Sequence, residues 1–251
     1  MNKTKIEWCD STWNPVTGCL HGCEYCYARK MACRFSGCIF DRDKFTQNFG
    51  SYEVVTEMHK KSKKGNIVAA PYPFGFEPTL HKYRLDEPQK WSEPRTIFVC
   101  SMADLFGEWV PDKWIETVFS ACEKAPQHRY LFLTKNPFRY EQLHQKGILR
   151  KADNMWYGYS ATKKGYDYWC DSQYNVFASI EPILEKVYLP AAEWIIIGAE
   201  TGNRKDKVVP QKEWIDNICE SADVAQIPIF MKDSLIPIVG EENMRREFPW
   251  Q

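Results

Sequence analysis

Three cysteines lie within eight positions near the start of the chain, in the stretch TWNPVTGCLHGCEYCYAR (residues 12–29). Cys19, Cys23 and Cys26 have the spacing C-x3-C-x2-C. A structural zinc site normally takes four Cys or His ligands from two separated pairs, because closing a tetrahedron needs two chain segments. Three thiolates in one short loop can instead bind three irons of a 4Fe–4S cluster, and the fourth iron then has no protein ligand. The spacing therefore favours an open metal site over a disulfide or a closed zinc site.

A closed zinc site is the alternative from another class of function. His21 could in principle supply a fourth ligand, although an unstrained fourth corner is difficult to form inside the same tight loop. Cys9, Cys33 and Cys38 could contribute to a second metal site, but they form no complete four-ligand set. The zinc alternative predicts a non-catalytic module whose cysteine loop shapes a nucleic-acid-binding surface.

Length and composition indicate one globular domain in a reducing compartment. The 251 residues are 44% hydrophobic and 26% charged, which is close to the globular average. No run of about eighteen apolar residues occurs, and MNKTKIEWCD lacks the apolar core of a secretory signal. We therefore expect a cytoplasmic protein with no membrane partner. There, the ten cysteines favour metal or redox chemistry over disulfides.

The chain has 33 basic and 33 acidic residues, so its net charge gives no overall indication of nucleic-acid binding. A local basic face stays possible. The lysine run Lys60, Lys61, Lys63 and Lys64 is interpreted as a solvated turn rather than a phosphate-binding patch. Aromatic residues make up 15% of the chain and mainly predict core packing, although a base extruded from a DNA duplex could also stack on some of them.

Six apolar segments end in small or polar residues and predict buried parallel strands running into functional loops. They are residues 95–104, 129–137, 155–163, 175–182, 194–201 and 227–234. Helices are predicted between them, at 112–124, 137–146, 163–173 and 211–223. Alternation of strand and helix predicts an α/β fold, a partial TIM-type barrel with outer helices and its chemistry at the carboxyl ends of the strands. We expect a single domain over residues 1–251, with residues 37–94 as an insertion or lid over the barrel mouth.

Polar residues at the predicted strand ends are the candidate site residues. An unpaired carboxylate directly after an apolar strand would be costly to bury, so Glu181 and Glu200 are the strongest candidates. Cys100 also ends a strand and could face the cavity as a hydrogen-atom donor, although buried packing is its default role. The other candidates by position are Ser101, Asp104, Thr134, Lys135, Ser160 and Lys232.

The cysteine spacing, with Tyr25 before the last cysteine, resembles the signature of the radical S-adenosylmethionine (SAM) superfamily. Further segments, KIEWCDSTWNPVTGC, SMADLF, LTKNP, SIEPIL, IIIGAETG and FMKDS, resemble a radical SAM family of phage and bacterial genomes that is linked to DNA base hypermodification. Cys9 stands where that family has a hydroxyl residue, and FMKDS replaces a Lys-Gln-aromatic-Gly ending. The substrate end of this protein is therefore expected to be specialised.

The resemblance implies roles for the candidate residues. Cys19, Cys23 and Cys26 would hold the 4Fe–4S cluster, and SAM would chelate its fourth iron. Asp104 or Glu181 would accept hydrogen bonds from SAM, Lys135 and Ser160 would hold its carboxylate, and Ser101 would line its site. Tyr25 would stack near the adenine, and Gly198 would allow its close approach. Glu200, Arg204 and Lys232 would meet the substrate.

The implied activity is reductive cleavage of SAM to a 5′-deoxyadenosyl radical, which takes a hydrogen atom from the substrate. An external one-electron reductant such as flavodoxin or ferredoxin is then required, in a bacterial or phage-infected cell. The expected substrate is a flipped, modified thymine in phage DNA, whose glycinyl group is isomerised from nitrogen to carbon linkage. Alternatives are a lyase that repairs a thymine lesion, with Cys100 returning the hydrogen atom, and an enzyme acting on a peptide or small metabolite.

Overall fold

The computed structural model describes residues 2–36 and 53–251. The strands are β1 (Asn2–Lys3), β2 (Ser11–Trp13), β3 (Val16–Thr17), β4 (Glu53–Val55), β5 (Lys60–Lys63), β6 (Asn66–Ala69), β7 (Thr79–His81), β8 (Thr96–Val99), β9 (Arg129–Thr134), β10 (Met155–Ser160), β11 (Asn175–Ile180), β12 (Trp194–Ile197) and β13 (Ile229–Met231). The α-helices are α1 (Tyr27–Phe35), α2 (Asp112–Glu123), α3 (Phe138–Gln145), α4 (Lys212–Ala225) and α5 (Ile236–Val239). Within these ranges no helix is long and apolar enough to cross a membrane.

The main sheet is a curled half-barrel of seven parallel strands in the order β2-β8-β9-β10-β11-β12-β13, with β1 added antiparallel at the edge. All six predicted strand segments belong to it, and the prediction of an α/β fold with parallel strands is confirmed. Because the strands are parallel, their carboxyl ends meet along one edge, where the loops that carry the candidate residues begin.

Side chains alternate between the two faces of this sheet. In β8, Ile97 and Val99 join the large outer cluster beneath α2, whereas Phe98 joins an inner aromatic cluster with residues such as Trp156 and Trp194. Both faces are covered, which explains the near-continuous apolar runs in the sequence. Phe248 and Trp250 pack against the inner cluster, so the chain's last residues help to fill the interior of the half-barrel.

Three of the four predicted connecting helices are present as α2, α3 and α4. The helix predicted over residues 163–173 is wrong, because this segment is irregular. Gly165 has a φ of +66°, which is incompatible with an α-helix. Trp169 is anchored separately, with its Nε1 donating to Glu141 at 3.1 Å. The apolar spacing here reflects contacts of an extended loop with the core.

Of the predicted insertion at 37–94, residues 37–52 lie outside the described residues. The remainder forms a small sheet in which β7 pairs with both β3 and β4, and a separate hairpin of β5 and β6. Pairing of β7 with β3 is important for the site, because β3 leads directly into the cysteine loop.

Candidate functional site

A cavity of about 250 Å³ opens at the carboxyl edge of the half-barrel. Its lining includes most of the residues predicted from the sequence, namely Cys19, Cys23, Tyr25, Cys26, Ser101, Asp104, Thr134, Lys135, Ser160, Glu181, Glu200 and Lys232. Residues that are up to about two hundred positions apart are thus brought to one concave site. The strand-end candidates among them were predicted from apolar runs that end in polar residues.

One side of the cavity, here called the cysteine-loop wall, comprises the loop 18–26 and the polar residues that hold it. The loop leaves β3 at Gly18, whose φ is +90° and whose added Cβ would lie 2.2 Å from the Glu77 carbonyl oxygen. It ends at Cys26, where Sγ accepts the Arg29 backbone N–H at 3.4 Å and caps α1. A turn bond from Cys26 N to the Cys23 carbonyl, at 3.2 Å, precedes the helix.

The donor set of this wall fits an iron–sulfur cluster in its chemistry. Three thiols line one cavity, and soft thiolate ligands select iron–sulfur clusters or zinc. Among the described residues, no three His, Cys, Asp or Glu side chains are grouped closely enough to hold a metal ion. Burial raises the pKa of the Cys19 thiol to about 12, so this thiol needs a nearby cation to ionise at neutral pH.

Asp104 is the centre of the hydrogen bonds behind the cysteine loop. Its Oδ1 accepts from Thr134 Oγ1 at 2.7 Å and from the Phe106 backbone N–H at 3.0 Å. Its Oδ2 accepts from the Lys135 backbone N–H at 2.9 Å and pairs with His21 Nε2 at 2.7 Å. Both oxygens of this buried carboxylate are therefore engaged within the protein. The resemblance implied that Asp104 or Glu181 accepts hydrogen bonds from SAM, and in the structure Asp104 also orients the loop through His21.

Tyr25 and Lys135 form a pair at the cavity surface. Lys135 Nζ donates to Tyr25 Oη at 3.0 Å, and the ammonium lies 5.4 Å from the ring centroid. The nearby Ser101 Oγ donates to Asn14 Oδ1 at 3.2 Å. Ser160 ends β10 and is half-buried in the lining. These four predicted residues are thus accessible to a molecule in the cavity.

The opposite side, here called the late-strand wall, comprises the charged residues after β11, β12 and β13 together with Glu7. Lys232 Nζ lies 3.3 Å from Glu181 Oε1 and 3.8 Å from Glu7 Oε2. Glu181 Oε1 is shielded from solvent and makes no hydrogen bond of good geometry. Burial raises the pKa of Glu181, and the Lys232 charge opposes that rise. This wall therefore holds a buried acceptor oxygen that, within the described residues, is held by the ion pair with Lys232 rather than by a well-formed hydrogen bond.

Gly198 lies against this ion pair. A Cβ added to Gly198 would meet Glu181 Oε1 and Lys232 Cδ, each at 3.1 Å. The sequence assigned Gly198 to close approach of the SAM adenine. In the structure the neighbours that need the space are protein side chains.

Glu200 and Arg204 form a bidentate ion pair with N–O distances of 2.7 and 2.8 Å. The hydrogen bonds from Arg204 hold the pKa of the buried Glu200 below its usual value. Arg204 also lies 3.5 Å from Glu24 of the cysteine loop, so this pair joins the two walls. Both residues were predicted to meet substrate, and in the structure each faces the other.

Cys100 is not brought to the cavity lining. Its side chain is 2% exposed and packs in the outer core, where burial raises its pKa to about 12. The geometry therefore supports the packing role and removes support from Cys100 as a hydrogen-atom donor to substrate.

Sequence reasoning missed several residues that hold the site. Asn14 Oδ1 accepts from the Met102 backbone N–H as well as from Ser101, and Arg29 Nη2 donates to the Cys19 carbonyl at 3.0 Å. Phe76, from the segment after the hairpin, lines the cavity beneath the Arg29 guanidinium. Asn14 and Arg29 flank the cysteine motif, one before the loop and one in the first turn of α1, and this position beside the motif was the available signal. Nothing local pointed to Phe76.

Comparison with known sequences assigns the chain to a family without a known activity. Residues 3–235 match the family described as Protein of unknown function (DUF5131), and the chain belongs to that family. No curated protein matches the chain. No solved structure matches it either.

Proposed function

We propose that this protein is a radical SAM enzyme. The observation that carries the proposal is the position of three thiols with C-x3-C-x2-C spacing on one wall of a cavity at the carboxyl edge of a parallel half-barrel. Cys19, Cys23 and Cys26 would hold a 4Fe–4S cluster. His21 pairs through Nε2 with Asp104, and this pair supports the cysteine loop from behind.

The bound cluster and SAM would together supply a 5′-deoxyadenosyl radical able to abstract hydrogen from an unactivated carbon. The protein's own residues would bind and orient. Lys135 lies within reach of a carboxylate in the cavity, and the hydroxyl residues Ser101 and Ser160 line the same cavity. The Tyr25 ring provides a face on which an adenine can stack. An external reductant such as flavodoxin or ferredoxin would complete the reaction in the cytoplasm of a bacterial or phage-infected cell.

Anaerobic turnover tests this class of activity. Reconstituted protein with dithionite and SAM should release 5′-deoxyadenosine, and Cys23→Ala should abolish the release. Cys33→Ala is the matched control, because Cys33 is exposed on α1 and should leave the rate within about twofold of wild type. Equal rates for wild type and Cys23→Ala would overturn the proposal.

As substrate we propose a modified thymine in DNA that carries a glycinyl group. Two features of the late-strand wall support an amino-acid-like substituent. Lys232 could exchange one of its two carboxylate partners for the carboxylate of the substrate, and Glu181 Oε1 is available to accept from an amine. The apolar lining by Trp8, Phe98 and Leu133 would hold the flat base.

The substrate proposal is tested by product analysis. DNA containing glycinyl-thymine should be converted from the nitrogen-linked to the carbon-linked isomer, and Glu181→Gln should raise KM at least tenfold while SAM cleavage without substrate continues. Release of 5′-deoxyadenosine with no change in linkage would reject this substrate but leave the class of enzyme intact. Unmodified DNA of the same sequence is the control.

A further inference from the structure

We propose that the lysine-rich hairpin formed by β5 and β6, together with the exposed face of α1, binds the phosphate backbone of the DNA beside the cavity. The inference rests on the proposed function for its choice of DNA. It concerns a surface outside the cavity, so it can be tested without any turnover.

The hairpin is a tight, well-defined unit. Its strands pair from Lys60–Ala69 to Lys63–Asn66, and the two turn residues, Lys64 and Gly65, have φ of 50° and 80°. Positive φ at both positions is typical of a type I′ turn, whose twist suits a two-residue hairpin. The sequence interpretation of this lysine run as a solvated turn was therefore incomplete, because most of the run is strand.

This unit buries little of its own surface. All of its residues except Lys61 and Val68 are exposed, and Ile67 is 76% exposed. An isolated two-stranded hairpin is only marginally stable in water. A purely structural hairpin would be expected to bury more of its side chains than this one does. A surface of this kind is well suited to contact a partner.

The charge of this region contrasts with the neutral chain. Residues 54–70 contain four lysines against one acidic residue, Glu57. The neighbouring helix α1, YARKMACRF, adds the exposed Lys30 and Arg34 and has no acidic residue. Lysines on strand edges also discourage aggregation, but that role does not require a basic helix beside them. The combined surface matches a polyanion.

Contacts with α1 place the hairpin near the cavity. Lys61 Nζ donates to the carbonyl of Ser36, the residue that ends α1, and Ser36 forms an isolated β-bridge with Tyr72. At its other end α1 begins beside Cys26, and both Tyr27 and Ala28 line the cavity. Nine helical residues span roughly 13 Å. The basic surface therefore extends from the cavity rim to the hairpin.

These dimensions predict a minimum length of DNA. At 3.4 Å per base pair, roughly 13 Å corresponds to about four nucleotides. Because α1 alone spans this distance and the hairpin lies at its far end, phosphates about four or more nucleotides from a base seated in the cavity would lie next to the hairpin lysines. Duplexes that end at the target base should therefore bind more weakly than duplexes that extend past the hairpin.

The test is binding of a fluorescently labelled DNA duplex to the full-length protein, measured by anisotropy over a range of salt concentrations. The variant Lys60→Glu, Lys63→Glu, Lys64→Glu should bind at least tenfold more weakly at about 0.1 M salt, and the slope of log affinity against log salt should fall by about 2 to 3. The same three positions changed to Gln should give a smaller loss, which separates charge from misfolding. The control variant Lys124→Glu, Lys151→Glu changes two exposed lysines at the amino-end side of the sheet and should bind like wild type.

The inference would be overturned if the hairpin variant bound DNA as tightly as the wild type does, or if the wild type bound no DNA. Hairpin-dependent binding of single-stranded RNA but not of duplex DNA would also overturn it. If the protein bound DNA through the hairpin but did not cleave SAM, the proposed function would be rejected and the DNA interface would be retained. Turnover of a free modified nucleoside, if active, should be unchanged in the hairpin variant, because the three lysines lie outside the cavity lining.

Discussion

The cysteine-loop wall and the late-strand wall face the same cavity but are built differently. On the cysteine-loop wall, Asp104 uses both carboxylate oxygens for partners inside the protein, and Gly18 has no room for a side chain. On the late-strand wall, Lys232 is shared between two carboxylates, and within the described residues Glu181 Oε1 is held by this ion pair without a well-formed hydrogen bond. The first wall is held in one arrangement by hydrogen bonds and a close backbone contact. The second is held by side-chain charges that can change partners.

This difference suggests a division of labour between the two walls. A site that holds a cofactor benefits when the side chains that touch the cofactor are fixed in position, since misplacement by about 1 Å can greatly lower the reaction rate. A site that must admit and release a substrate gains from ion pairs that can reorganise. We therefore expect substitutions on the cysteine-loop wall to reduce folding stability more than those on the late-strand wall.

The largest effect is expected at Gly18. Alanine there would put Cβ 2.2 Å from the Glu77 carbonyl oxygen at a φ of +90°, so Gly18→Ala should lower the free energy of unfolding by about 3 kcal/mol or more. Gly147→Ala is the control, because its φ is +68° and no atom of the described residues lies within 4 Å of an added Cβ. Denaturant unfolding should show a loss of only about 1 kcal/mol for the control. Similar losses for both variants would mean that the close approach to Glu77 is unimportant.

The next effect is expected at Asp104. Asp104→Asn keeps the shape but replaces one acceptor oxygen by a donor, which should cost about 2 to 3 kcal/mol of stability and lower the amount of metal bound. Asp112→Asn, at a partly exposed ion pair with Arg139 and Lys146, should cost less than about 1 kcal/mol. Thermal unfolding and metal analysis measure both. Full metal binding by the Asp104 variant would contradict its role as the support of the loop.

A pH effect is expected through His81, which supports β3 from behind the cysteine-loop wall. Its Nε2 is bonded to Thr17 Oγ1 at 2.8 Å, and burial, with help from Arg84, lowers its pKa to about 3. In the unfolded chain His81 takes up a proton as the pH falls below about 6.5, whereas in the folded chain it stays neutral until about pH 3. The stability that comes from neutral, buried His81 is therefore full above pH 6.5 and is lost progressively as the pH falls toward 3. The slope should approach about 1.4 kcal/mol per pH unit below pH 6.5. His81→Gln should flatten the slope over this range, and an unchanged slope would exclude His81 as its source.

The smallest effect is expected on the late-strand wall, at Gly198. The nearest atoms that its Cβ would meet are side-chain atoms of Glu181 and Lys232, at 3.1 Å, and Lys232 can move. Gly198→Ala should therefore cost about 1 kcal/mol or less of stability while changing KM for the substrate more than kcat. A stability loss as large as that of Gly18→Ala would break the distinction between the two walls.

The sequence predicted the site better than it predicted the partners within the site. Apolar runs ending in polar residues located the strand ends, because parallel strands bring their carboxyl ends together whatever the loops contain. The role of Asp104 was not readable in this way, since its partner His21 is 83 positions away. Arg204 and Glu200 are four positions apart in an irregular loop, where that spacing does not predict a contact, so their pairing was not readable either. The predicted helix at 163–173 failed because core contacts alone can imitate a helical pattern.

The most direct test of the central claim is the metal content of anaerobically reconstituted protein, with electron paramagnetic resonance of the reduced sample before and after addition of SAM. The account predicts about four iron and four sulfide per chain, a signal that changes when SAM is added, and loss of both iron and signal in Cys19→Ala, Cys23→Ala or Cys26→Ala but not in Cys33→Ala. A colourless protein with one zinc per chain, or a cluster signal that SAM does not alter, would contradict it.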